Sequence, residues 1–256
     1  MNKALWLVAV VWPLAATAQI ELVPDAETPA VFAGRPQNLR VTFRNVGDAT
    51  VTNDVQTLLF QLSSATTVPI GKARLWKRIQ ILPGQTVLET LTLEFPAVRS
   101  SSRFRVELPG IGSMEVAVYP NDLLKKLSAL AGDQPLGVYD PDGQLKPLLK
   151  QAAINVADFE IEPTDLKLAI VWSNATSLPD SIASRVKTGM SAVWIRSSTI
   201  PTTYAARLGA GVVVVAPAAT LGGLANAPQP QLNLIRDAEL ALEPDALRLP
   251  SDNKTE

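Results

Sequence analysis

Two aspartates one residue apart, in Tyr139-Asp140-Pro141-Asp142-Gly143, follow a short apolar run that begins at Leu136. A carboxylate pair at the end of a short apolar run outlines a phosphoryl-transfer or Mg²⁺ site. The same five residues also make a turn: Pro141 and Gly143 supply the bend, and Asp142 helps cap a helix that follows. A Mg²⁺ ion on Asp140 would need a carboxylate partner. The turn is the stronger reading, and Asp140 and Asp142 remain candidate ligand-binding residues.

A second cluster is Arg196-Ser197-Ser198-Thr199. A guanidinium beside three hydroxyls at the C-terminal edge of a parallel sheet has the donors to hold an anion. Ser197 or Ser198 as a nucleophile would need a Lys or carboxylate base, and no spacing supplies one, so Arg196, Ser197 and Ser198 are candidate ligand contacts and no catalytic residue is assigned. Trp172 and Trp194 sit in apolar strands, where core packing takes precedence over stacking on a sugar. Gly209-Ala210-Gly211 and Gly222-Gly223 lack the strand-then-helix setting of a dinucleotide site and read as a helix end and a turn.

The 256 residues contain no Cys and no His. That removes thiolate nucleophiles, Cys/His zinc sites, disulfides and imidazole bases. No metal or cofactor is expected. Lys plus Arg number 23 against 24 Asp plus Glu. This balance provides no positive field for a nucleic-acid backbone, so nucleic acid is not an expected partner.

The N-terminus has the form of an export signal. Lys3 precedes the apolar stretch Ala4 to Leu14, and Ala16-Thr17-Ala18 places small residues before a cut at Gln19. The stretch is too short to span a bilayer and is broken by Pro13. Removing Lys3 leaves 22 basic against 24 acidic residues, and no later segment is long and apolar enough to span. The expected location is periplasmic or secreted.

The elements that would position these residues change character at Pro120. Before it the period is two: in Gln37 to Val46, Leu39, Val41 and Phe43 alternate with Arg40, Thr42 and Arg44. Further extended runs cover Val51 to Leu62, Ala73 to Leu82, Val87 to Phe95, Arg103 to Leu108 and Ser113 to Val118. After Pro120, Leu123, Leu124, Leu127 and Leu130 mark a helix closed by Gly132. Extended runs at Leu136, Val156, Leu166, Ser191 and Val212 then alternate with helical stretches at Gln144 to Ala153, Ser181 to Thr188 and Tyr204 to Leu208. That alternation implies βαβ units, and Gln231 to Leu242 is expected to add a strand or two at the sheet edge.

Three resemblances follow from these residues. Asn45-Val46-Gly47-Asp48 after a strand, with Leu82-Pro83-Gly84-Gln85 before another, resembles Ig-like adhesion modules of the CARDB or NEW3 type, which implies a spacer or binding module. Asp165 before the strand LKLAIVW, a helix opening at Asp180, and Gly189 before SAVWI resemble the class I glutamine amidotransferase-like domain. That family's Cys elbow would fall near Ile195 to Ser198, so the likeness implies a degenerate site. The D-x-D-G of Asp140 to Gly143 resembles the first motif of haloacid dehalogenase-like phosphatases, but Gln144 stands where that family has Thr.

The expected fold is therefore a two-domain chain: an all-β Ig-like sandwich followed by an α/β three-layer parallel-sheet, flavodoxin-like domain. The expected boundaries are a signal peptide over 1–18, the sandwich over 19–119, a helical linker over 120–134, the α/β domain over 135–245 and a flexible tail over 246–256. The expected function is a non-catalytic binding or scaffolding protein of the cell envelope with a protein, small-molecule or glycan partner. The alternative is a Mg²⁺-dependent phosphohydrolase using Asp140 and Asp142.

Overall fold

The computed structural model describes residues 19–159, 165–196, 202–218 and 222–243. The expected signal and tail, at 1–18 and 246–256, lie outside them, as do Ser197 and Ser198. The first eight elements are strands: β1 (Ile20–Val23), β2 (Ala30–Phe32), β3 (Pro36–Asn45), β4 (Val51–Leu62), β5 (Thr67–Ile81), β6 (Thr86–Glu94), β7 (Ser102–Leu108) and β8 (Gly112–Tyr119). A 3-10 turn over Leu123–Lys125 leads into α1 (Lys126–Ala131). Then come β9 (Leu136–Tyr139), α2 (Leu145–Gln151), β10 (Val156–Asp158), β11 (Leu168–Trp172), α3 (Asp180–Lys187), β12 (Ser191–Arg196), β13 (Tyr204–Leu208), β14 (Gly211–Pro217) and α4 (Pro228–Leu242).

Contacts divide the chain into two compact units. Of the described residues, 19–29, 36–94 and 102–117 form the first, and 30–35, 95–101 and 118–243 the second. In the first unit, alternation of apolar and polar residues drives antiparallel pairing with one face covered. Leu39, Val41 and Phe43 of β3 are buried while Arg40 and Arg44 are exposed. One sheet runs β1-β3-β6, and in another β8, β7, β4 and β5 follow one another. Asn45, fully buried, donates from its side chain to the Ala49 and Ile81 carbonyls and accepts from the Gly47 N–H at 2.9 Å.

The second unit is built on a six-stranded sheet in the order β10-β9-β11-β12-β14-β13. β9, β10, β11, β12 and β14 pair in parallel, and β13 pairs antiparallel with β14. Continuous apolar runs such as Val212 to Ala216 are buried throughout, as befits strands covered on both faces. One face packs Val138, Ile170, Ile195 and Val214 against Leu127, Leu149, Leu234 and Ala238. The other packs Val171, Trp194, Val213 and Val215 against Ile182 and Val186 of α3.

The expected fold class, an Ig-like sandwich followed by a parallel-sheet flavodoxin-like domain, is overturned. Strand makes up 46% of the described residues and helix 19%, in three sheets that are antiparallel or mixed. Residues 30–35 and 95–101 group with the second unit by contacts. Two local expectations fail for identifiable reasons. Tyr204–Leu208 is a strand, because the two-residue link Gly209-Ala210, with Gly209 at φ +65°, turns it back along β14 as a hairpin. Gln231 to Leu242 is part of a helix started by Pro228, whose fixed φ suits a first turn. The stretch 120–134 is helical over Leu123–Ala131, and Leu123, Leu124 and Leu127 are buried in the second unit's core. Among the described residues, no helix is long and apolar enough to cross a membrane.

Candidate functional site

The chain reverses its direction of travel across the parallel sheet at β9. It passes from β9 to β10 on one side and then to β11 on the other, so the C-terminal ends of β9 and β11 flank a switch point of the kind that receives ligands in open α/β sheets. Asp140 stands at the end of β9 and is buried. Its Oδ1 accepts the Gln144 N–H at 3.1 Å, and its Oδ2 accepts the Leu145 and Lys146 N–H groups at 2.7 and 2.8 Å. Both carboxylate oxygens are thus spent on the first turn of α2, whose leading N–H groups have no partner within the helix. Asp142 is exposed and does not cap α2; that role, expected of Asp142, belongs to Asp140. The expected Pro141–Gly143 bend is present, with the Gly143 N–H donating to the Asp140 carbonyl at 3.1 Å.

The first turn of α2 is also tied to β10. Lys146 Nζ lies 2.6 Å from Asp158 Oδ2, with both side chains about three-quarters buried. Nothing in the sequence spacing marked this pair, since the two residues meet only because β10 lies beside β9. Among the described residues, no group of three Asp, Glu, Cys or His side chains comes together to hold a metal. The third carboxylate that a Mg²⁺-dependent phosphohydrolase would place beside Asp140 and Asp142 is therefore not among them.

The ends of β11 and β12 present donors. Trp172 and Trp194 are nine-tenths buried, on opposite faces of the sheet, and the indole N–H of each has no hydrogen-bond partner among the described residues. Arg196 ends β12 with its guanidinium carbon 4.6 Å from the centre of the Trp194 ring. Its Nε is also buried, without a partner among the described residues. Asp140 and Arg196 stand at the ends of β9 and β12 with β11 between them, and no hydrogen bond or ion pair joins them. The buried donors of this arrangement can bind acceptor-bearing or anionic groups.

Away from this edge, α4 buries two polar side chains that the sequence reading passed over. Gln231 donates to the Leu224 carbonyl at 2.7 Å, and its Oε1 has no partner among the described residues. Asp237 is buried with Oδ2 unpartnered, and burial pushes its carboxyl up from 3.8 to about 6, with Arg236 acting in the opposite direction. The helical spacing of Gln231, Leu234, Ile235, Ala238 and Ala241 was the available signal for this element.

No family model and no curated protein matches the chain. Among solved structures, a β-glucosidase from Listeria innocua bound to gluconolactone is similar over 39% of this chain and 16% of its own, at 16% identity and a TM-score of 0.30. An alkylpurine DNA glycosylase from Pseudomonas fluorescens bound to DNA is similar over 40% and 31%, at 15% identity and a TM-score of 0.30. The sporulation control protein Spo0M from Bacillus subtilis is similar over 44% and 56%, at 12% identity and a TM-score of 0.28. The chain spans less than two thirds of each, and likeness at this level carries nothing about activity.

Proposed function

We propose that the chain is an exported, non-catalytic binding or scaffolding protein of the cell envelope, periplasmic or secreted, with its ligand contacts at the C-terminal edge of the six-stranded sheet. The observation that carries this reading is a pair of buried donors on one face at the end of β12, Trp194 Nε1 and Arg196 Nε, which have no partner among the described residues; Trp172 Nε1 is a further such donor on the other face. A buried donor without an acceptor costs about 1–3 kcal/mol. A ligand or partner segment that supplies acceptors recovers that cost, which favours a carboxylate, a phosphate or a hydroxyl-rich glycan over an apolar molecule. The near-even charge and the absence of Cys and His support a binding role without nucleic acid. The signal-like residues 1–18 support export.

Indole N–H resonances give a direct test, because they move when the proton gains an acceptor. Acetate, inorganic phosphate and a neutral oligosaccharide titrated into ¹⁵N-labelled protein are expected to include one that shifts the Trp194 indole signal saturably. Arg196→Ala should weaken that response at least tenfold. Indole signals of Trp172 and Trp194 that stay still with all three probes would sink the reading.

A further inference from the structure

The first unit holds a slot that none of the motifs above touches. It lies between the free edges of its two sheets, β5 at the end of one and β6 at the end of the other, with a volume of about 350 Å³. Leu91 and Val106, both buried, form its floor, and half-buried Leu59 and Leu93 continue the apolar lining. Two cations line the same slot, Lys72 and Arg74 of β5.

The path of β5 explains how they come to be there. Near its C-terminal end Ile79 and Ile81 are buried, and Lys77 is paired with Glu89 of β6 at 2.6 Å, which pins the two edges together. The pairing with β4 then slips: Val55 faces Lys77 but Gln56 faces Leu75, leaving Trp76 as an extra residue. Trp76 turns its ring toward Phe43 of the opposite sheet, 6.1 Å between centroids. A second slip follows, where Thr57 faces Arg74 and Leu59 faces Ile70, so that three residues of β5 oppose one of β4. Gly71, at φ +77°, permits that excursion. Beyond the Lys77–Glu89 pair, Trp76, Leu75, Arg74, Lys72 and Ile70 of β5 line the slot.

Neither Lys72 nor Arg74 has an ion pair among the described residues, and Glu94 is the one carboxylate lining the slot. Two cations against one carboxylate leave a net positive rim over an apolar floor. We propose that this slot binds a soluble single-chain amphiphile with an anionic head, its apolar body against Leu59, Ile70 and Leu93 and its head on Lys72 and Arg74. The volume suits such a ligand: small-molecule sites start near 300 Å³, and 350 Å³ corresponds to on the order of a dozen water-sized groups, the size of a ten-carbon carboxylate. Inward-pointing charges also guard sheet edges against aggregation, and that role alone would need no matching ligand.

Calorimetric titration of the purified protein with sodium decanoate, below its micelle concentration, tests the proposal. Saturable binding near one to one is expected. The paired change Lys72→Glu with Arg74→Glu should weaken it at least tenfold, and decanol, the same chain without the charge, should bind at least tenfold more weakly. Leu93→Trp, which fills the slot and leaves both cations in place, should also weaken binding and covers the case in which charge reversal disturbs β5. Absence of saturable binding, equal affinity for decanol, or decanoate binding that neither the charge reversal nor Leu93→Trp weakens would each overturn it.

Discussion

The Asp140 carboxylate accepts the Leu145 N–H at 2.7 Å, across the turn that joins β9 to α2. With the Gln144 and Lys146 N–H groups it satisfies three backbone donors that would otherwise be orphaned at the start of the helix. Asp140→Ala is expected to lower stability by about 2–3 kcal/mol, since charge-assisted hydrogen bonds in a buried site are lost together. Asp142→Ala, at an exposed position, should stay within about 0.5 kcal/mol of the parent. Urea unfolding of the two variants compares them directly, and equal effects would contradict the assignment.

The two turn motifs singled out in the first unit prove to be bonded to each other. The Asn45 N–H donates to the Gln85 carbonyl at 3.0 Å, the Gly84 N–H donates to the Asn45 carbonyl at 3.0 Å, and the Asn45 side chain reaches the Ile81 carbonyl at 3.1 Å. Asn45→Ala would leave the buried Ile81 carbonyl and the part-buried Ala49 carbonyl and Gly47 N–H without that partner. A loss of about 2–4 kcal/mol is expected from thermal unfolding. Asn45→Asp, which keeps the acceptor but removes the donor, should lose less if the bond to Gly47 dominates, and as much if the two carbonyls do.

Strand positions were legible where local pattern and final environment agree. The alternation through Leu39, Val41 and Phe43 gave one covered face, and the unbroken Val212 to Ala216 gave a strand covered on both. Tyr204–Leu208 was not legible as a strand, because five residues are too few to show a period and Gly209 and Gly211 serve a helix end or a hairpin equally well. Which aspartate caps α2 was hidden for a different reason: both lie in the turn, and the direction of the chain leaving β9 decides that Asp140 faces the helix. The unpartnered indole and guanidinium donors depend on what surrounds them in three dimensions, so the sequence showed Trp172, Trp194 and Arg196 but not their unmet bonds.

Gly211 sits where β13 turns into β14 against the end of α3. A Cβ there would fall 2.1 Å from the Met190 carbonyl oxygen and 2.4 Å from that of Val186, and both are backbone atoms that cannot swing aside. Gly211→Ala is expected to destabilise the second unit by about 3 kcal/mol or more, at or above the upper end of the usual cost of overpacking, because the clash is with backbone. Gly84→Ala is a useful contrast: its Cβ would meet nothing within 4 Å, and only the φ of +68° opposes it, for about 1 kcal/mol. Loss of soluble yield for the first variant, with a modest fall in melting temperature for the second, is the expected pattern.

Asp237 sets a pH dependence of opposite sign to that of a paired carboxylate. Burial raises its folded pKa from 3.8 to about 6, so the folded state favours the protonated acid. The resulting stabilisation is complete below pH 3.8 and is lost as the pH rises through about 6. Above that the fold carries a buried charge whose Oδ2 has no partner, relieved only by Arg236. Asp237→Asn removes the ionisation at nearly constant shape. It should raise stability by about 1–2 kcal/mol at pH 7.5 and leave it unchanged near pH 3.5. For a chain of this size that is a rise of roughly 2–8 °C in melting temperature. Melting curves of parent and variant at half-unit steps from pH 3.5 to 7.5 resolve the difference. The two curves should separate between pH 4 and 6, and a constant offset would show that the substitution acts through packing and not through the proton.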